Sequence, residues 1–137
     1  MFYKSFARIT ASEPFQSAQH PDNRGIKFTI ALNDVAGTTF SHVVLLAAEN
    51  PMVARIGYEM LSQLCRAVGV MQPADSAELH GIEFIARYSH SEGDGFRLKG
   101  AECFARDRER IAYWLEHLEG RSRPRKLAKR IRRGDWE

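Results

Sequence analysis

A single helix with both ends marked, set among short runs of strand-forming residues, limits this chain to a small group of folds. Asn50-Pro51 opens it. The Asn side chain can accept an amide hydrogen bond that no helix carbonyl satisfies, and proline at the first helical position gives up an N–H that would be unpaired anyway. Gly69 closes it, because glycine adopts the left-handed conformation without steric penalty. Between them Val53, Ile56, Met60, Leu64 and Val68 recur at helical spacing, widened by Leu61 and Cys65, and predict the buried stripe.

The runs on either side read as strands. Phe2–Thr10 is loosely patterned, and Ala11–Gly25, with Pro14, Pro21, Asp22 and Asn23, reads as a long polar loop. Ile26–Leu32 alternates cleanly: Ile26, Phe28, Ile30 and Leu32 share one face, Lys27 and Thr29 the other. Asn33, Asp34 and Gly37 make a hairpin connection to Thr39–Ala47. After the helix, Asp75 followed by Glu78 forms a capping box for one further turn that ends at Gly81. Ile82–Tyr88 and Phe96–Phe104 then form a second hairpin around Ser91–Gly95. Asp107 begins a C-terminal helix ending at Gly120, with Ile111, Trp114, Leu115 and Leu118 on its apolar line; Pro124 starts a second, basic helix whose only apolar residues are Leu127, Ala128 and Ile131. The order β-β-β-α-β-β is that of an OB-fold, a small, partly open five-stranded barrel with a helix between strands 3 and 4. The expected fold class is therefore α+β, mainly β, with a barrel over 1–105, a helix over 106–120 and a basic tail over 121–137. A different α+β sandwich is the alternative.

Charge is distributed unevenly along the chain. Eight of the twenty Lys and Arg residues lie in 121–133, and two of the seventeen acids lie in the last four residues. Residues 1–120 thus hold twelve cations against fifteen acids, a net charge of −3 under a cationic extension. Such asymmetry points to a polyanionic partner. Cys65 and Cys103 have no spacing that suggests a disulfide framework or a zinc site, and read as reduced thiols. The start, MFYKSFARIT, lacks the features of a secretory signal, and no apolar run approaches the ~20 residues that span a bilayer. A cytoplasmic location without membrane association is expected.

Chemistry for catalysis is sparse. His20, His42, His80, His90 and His117 are scattered without metal-ligand spacing, and no phosphate-binding glycine loop, nucleophile elbow or zinc deaminase signature is present. No enzyme activity, cofactor or metal is expected. Nonspecific binding of single strands needs instead a cationic groove and aromatic faces on which bases stack. The candidates are Tyr3, Lys4, Arg24, Lys27, Arg87, Tyr88, Phe96, Arg97 and Lys99 on or beside the strands. Arg121, Arg123, Arg125, Lys126, Lys129, Arg130, Arg132 and Arg133 follow in the tail. Solvated strand faces and a solubilising tail are the plainer reading of the same residues.

The segments ENPMVARIGYEMLSQLCRAVGV (49–70) and DSAELHG (75–81), with Lys99-Gly100 in the last strand pair, resemble a phage-encoded family often described as single-stranded DNA-binding proteins. The resemblance spans Asn50 to Phe104. It implies a phage or prophage origin, an OB-like barrel and work in DNA replication or recombination, and it supplies no catalytic residues. Two features depart from it: the first strand begins almost at the initiator Met, and Arg106–Glu137 adds a helix and basic tail where bacterial single-strand binders end in an acidic one. The partner implied is single-stranded nucleic acid, with a host or phage replication or recombination protein and self-association left open. The rival expectation is an interaction protein that binds a host nucleic-acid-processing enzyme and inhibits or recruits it.

Overall fold

The computed structural model describes residues 2–33, 37–93, 95–103 and 124–134. The C-terminal helix expected over 106–120, with Trp114, lies outside them, as do Phe104, Arg121, Arg123 and Trp136. The architecture is mainly β: five antiparallel strands in a curled half-barrel with two helices, consistent with an OB-like α+β fold. The strands are β1 (Phe2–Gln16), β2 (Arg24–Leu32), β3 (Thr39–Ala47), β4 (Phe84–Ser91) and β5 (Gly95–Glu102). Helix α1 (Pro51–Val68) and a 3-10 helix (Ser76–Leu79) fall between β3 and β4, and α2 (Arg125–Arg133) follows β5. The sheet order is β3-β2-β1-β4-β5, so β1 is central.

The first strand is longer than its sequence pattern implies. Residues expected in a loop, Ala11 to Gln16, pair with Arg24–Thr29 of β2, and the loop shrinks to 17–23. A bulge at Thr10 shifts the register between Ile9 and Ala11 and bends the strand. Bending lets the front of β1 pair with β4 and the rear with β2, which a flat strand could not do around a barrel. The bulge also breaks the period of 2, which hides the strand's second half from pattern reading. The second hairpin is shifted as well. β4 starts at Phe84 rather than Ile82, because the left-handed turn at Gly81 (φ +77°) uses the next residues to bring Phe84 opposite Ala7.

The core fills the inner face, with Ile26, Phe28 and Ile30 of β2 against Val44 and Leu46 of β3, and Ala7 and Ile9 of β1 beside Phe84 and Ala86 of β4. α1 packs on β3 and β5. Its ends follow the expected caps: Asn50 Oδ1 accepts from Met52 N at 3.0 Å, and Gly69 is left-handed at φ 78°. Its buried face differs from the predicted stripe. Gly57, Leu61, Leu64, Cys65 and Val68 face inward, whereas Ile56 is 63% exposed and Val53 37%. The cause is Gly57, whose missing side chain lets the helix backbone press on the Leu45 carbonyl; a Cβ there would overlap that oxygen. Close approach at Gly57 fixes the rotation of α1 and turns Val53 and Ile56 away from the barrel. Cys65 lies deep in this contact, where burial pushes its thiol up to about 12.

The turn before β4 is built from the Leu79-His80-Gly81 step. Leu79 is buried, His80 Nε2 lies 2.7 Å from Ser12 Oγ, and the Gly81 N–H donates to Ile9 O at 2.9 Å. Asp75 and Glu78 form the expected capping box, Glu78 Oε2 accepting from Asp75 N at 2.9 Å. This stretch therefore straps the chain to β1.

The basic segment 125–133 is a docked helix. Leu127 is 2% exposed and Ile131 6%, both part of the core with Ala128. An apolar stripe of three residues is weak for an isolated helix. Arginines supplement it: Arg132 Nε donates to Leu46 O at 2.8 Å and its guanidinium lies 5.3 Å from the Tyr58 ring centre, while Arg130 Nη1 donates to Ala74 O at 2.6 Å. Among the described residues no helix is long and apolar enough to cross a membrane.

Candidate nucleic-acid interface

Alternation along the strands sorts the candidate residues onto two faces. Tyr3, Tyr88 and Phe96 turn inward at one mouth of the half-barrel. Tyr3 stacks on Tyr88 (centroids 5.6 Å apart), and Phe96 contacts Tyr88 (5.8 Å), His90 (4.2 Å) and Phe40 (5.9 Å). The Phe40–Phe96 stack spans the two edge strands, β3 and β5. Part of this row therefore closes the barrel: Tyr88 is buried and Phe96 half-buried, and only Tyr3 and His90 are exposed. His42, on the same inner face opposite Phe28, has a buried Nε2 with no hydrogen-bond partner among the described residues, and burial pushes its pKa down to about 4.

Lys4, Arg87, Arg97 and Lys99 are exposed on the other side of β1, β4 and β5. The registers bring them together. Lys4 sits opposite Arg87, Ser89 opposite Arg97, and Arg87 opposite Gly100, with Lys99 the extra residue of a bulge. Gly100 provides the space for Arg87, whose Nη2 would lie 2.5 Å from a Cβ at that position. The Lys99-Gly100 step thus has a local purpose: it lays a guanidinium flat across β5.

The same face carries residues that the sequence reading passed over. Phe2, Lys4, Phe6 and Arg8 alternate with buried Ser5, Ala7 and Ile9, so two rings and two cations share the outside of β1. Phe2 is 70% exposed and Phe6 43%, and Phe6 lies opposite Ile85. The signal was present as a period of 2, but with large aromatics outside and small residues inside it looked unpatterned. Acids partly offset the cations: Glu102 Oε2 lies 3.1 Å from Lys4 Nζ, and Glu83 Oε2 lies 3.7 Å from Arg8 Nη2. Exposed pairs of this kind contribute ~0–1 kcal/mol and leave long side chains able to exchange partners. Among the described residues, Lys4, Arg8, Arg87, Arg97 and Lys99 share this face with Glu83 and Glu102.

The other candidates lie elsewhere. Lys27, on the outward side of β2, is 3.7 Å from Glu13 and has Thr29, Ser41 and Val43 for neighbours. Arg24 donates to Arg132 O at 3.3 Å, so Arg24 and Arg132 fasten α2 to the barrel, and Arg130 fastens it to Ala74, just before the 3-10 helix. Arg125, Lys126, Lys129 and Arg133 are exposed on that helix. Lys126, Lys129, Arg130 and Arg133, spaced on one helical face, line a shallow groove of about 320 Å³ with Ala74.

The arrangement offers an outward platform of rings and cations, a second cationic strip on α2, and an aromatic cluster at one mouth of the half-barrel. Comparison with protein-family models and with curated proteins finds no match to this chain.

Proposed function

We propose that this protein is a single-stranded DNA-binding protein of phage or prophage type, an OB-fold that coats strands in replication or recombination in the cytoplasm, without sequence readout and without catalysis. The observation that carries this reading is the platform on β1, β4 and β5, where Phe2 and Phe6 stand exposed among Lys4, Arg8, Arg87, Arg97 and Lys99. Exposed rings offer π-faces to bases of any identity, and flanking cations track the backbone. Lys4 lies directly opposite Arg87, with the Glu102 carboxylate 3.1 Å from Lys4 to offset their repulsion. The strands involved differ from the strand 2–3 face that OB-folds commonly use, because here that face holds few cations.

The test is fluorescence anisotropy with labelled oligo-dT at two salt concentrations. Binding is expected at low salt and weakens steeply as salt rises, with a log–log slope of ~0.7 for each phosphate neutralised. Absence of binding at low salt, or affinity indifferent to salt, rules the reading out.

A second reading has its own observation. Met52, Val53 and Ile56 form an exposed apolar strip at the start of α1, suited to a protein partner. Under that reading the protein docks on a host nucleic-acid-processing enzyme. A stoichiometric partner recovered from host lysate after nuclease treatment, and lost in Ile56→Asp, supports it.

A further inference from the structure

Between the rear of β1, the 3-10 helix and α2 lies a cleft of about 210 Å³ that neither reading uses. Its walls are apolar: Pro14, Ile26, Leu127 and Ile131. One side is a hydrogen-bonding cluster in which Ser12 Oγ lies 2.7 Å from both Ser76 Oγ and His80 Nε2. Ser12 donates to one of these neighbours and accepts from the other, which leaves lone pairs on both hydroxyls for a donor placed against them. Arg130 lines this cleft and also the cationic groove formed with Lys126, Lys129 and Arg133, so the two cavities adjoin. The Asp75 carboxylate at the rim accepts from Ala77 N at 2.9 Å and lies 4.0 Å from Arg130 Nη1, which offsets its repulsion of an incoming anion.

The ligand that matches has a flat ring with apolar faces, a hydrogen-bonding edge and an anion one sugar away. A volume of 210 Å³ falls below the ~300 Å³ at which pockets for drug-sized ligands begin, and is suited to a fragment such as one base. We infer that this cleft is a nucleotide pocket: a base inserts against Ser12, Ser76 and His80 while its 5′-phosphate rests on Lys126, Lys129 and Arg133. The inference rests on the nucleic-acid reading for its ligand class and uses a different part of the molecule from the ring platform. The nucleotide is either free or one unit of a bound strand, and the chemistry of recognition is the same.

The experiment is a titration of the full chain with thymidine 5′-monophosphate, followed by backbone amide chemical shifts, with inorganic phosphate as the parallel probe. The monophosphate is expected to shift Ser12, Ser76, Ala77 and His80 saturably, whereas phosphate shifts only residues of α2. Lys126→Glu/Lys129→Glu, two exposed positions, should weaken the monophosphate at least tenfold with the remaining spectrum unchanged, and Ser12→Ala at least threefold. Shifts that phosphate alone reproduces, or no saturable shift at Ser12 and His80, overturn the pocket. Oligo-dT that competes with the monophosphate places a strand's nucleotide there; failure to compete assigns the cleft to free nucleotides. Oligo-dT binding abolished by Phe2→Ala/Phe6→Ala without loss of the monophosphate shifts separates the two sites. A strand that binds while the cleft stays silent refutes this inference alone.

Discussion

His42 gives a quantitative test of how the barrel interior is built. Its ring faces inward opposite Phe28, its Nε2 is buried with no hydrogen-bond partner among the described residues, and burial pushes its pKa down to about 4 from the 6.5 of an ordinary histidine. The folded pKa is lowered, so below pH 6.5 the unfolded chain takes up a proton at this site that the native barrel refuses. Stability is therefore fully present above pH 6.5 and is lost as pH falls toward 4, where the site finally protonates. A shift of about 2.5 units at ~1.36 kcal/mol each gives a total loss of about 3 kcal/mol, of which about 2.5 kcal/mol has gone by pH 4.5. His42→Leu removes both the titration and the unsatisfied nitrogen, whose burial costs ~1–3 kcal/mol. The variant should equal or exceed the parent in stability at pH 7.5 and lead it by about 2.5 kcal/mol more at pH 4.5. Urea unfolding followed by circular dichroism at the two pH values measures this. Carboxylates act on parent and variant alike, so their contribution cancels in the difference. Parallel pH profiles for the two proteins would refute the argument.

Other expectations follow from specific contacts. Gly57→Ala gains ~1 kcal/mol of helix propensity but forces α1 off the Leu45 carbonyl, so a net destabilisation of about 2 kcal/mol is expected from chemical denaturation. Arg132→Ala loses the bond to Leu46 O and the contact over Tyr58; the amides of α2 should exchange faster by about tenfold, while those of β1 stay protected. Phe2→Ala and Phe6→Ala should each weaken oligo-dT by ~1–3 kcal/mol in anisotropy with little change in melting temperature, because both rings are exposed. Arg87→Gln should lower the salt slope of that binding by ~0.7 without affecting its baseline at high salt.

Much of the frame was legible in the sequence because it depends on local rules. The Asn50-Pro51 start and Gly69 stop of the helix, the capping box at Asp75, and the inward face of Ile26, Phe28 and Ile30 each follow from a few neighbouring residues, and each is present. The length of β1 was not legible, since a bulge at Thr10 resets the alternation on which pattern reading depends. The candidate site was half legible. Lys4, Arg87, Arg97 and Lys99 could be read as outward-facing strand residues, but only pairing places Lys4 beside Arg87 and shows Phe2 and Phe6 on the same surface.

The sequence by itself determined where helices cap, which residues alternate and where the positive charge accumulates, because these depend on spacing of a few residues along the chain. Tertiary structure decided which side of α1 is buried, since one close backbone contact at Gly57 sets the helix rotation. It also divided the arginines of 125–133 between fastening and exposure, because Leu46 O and Ala74 O lie far away in sequence. Local propensity carries no record of such distant partners; only packing brings them within reach.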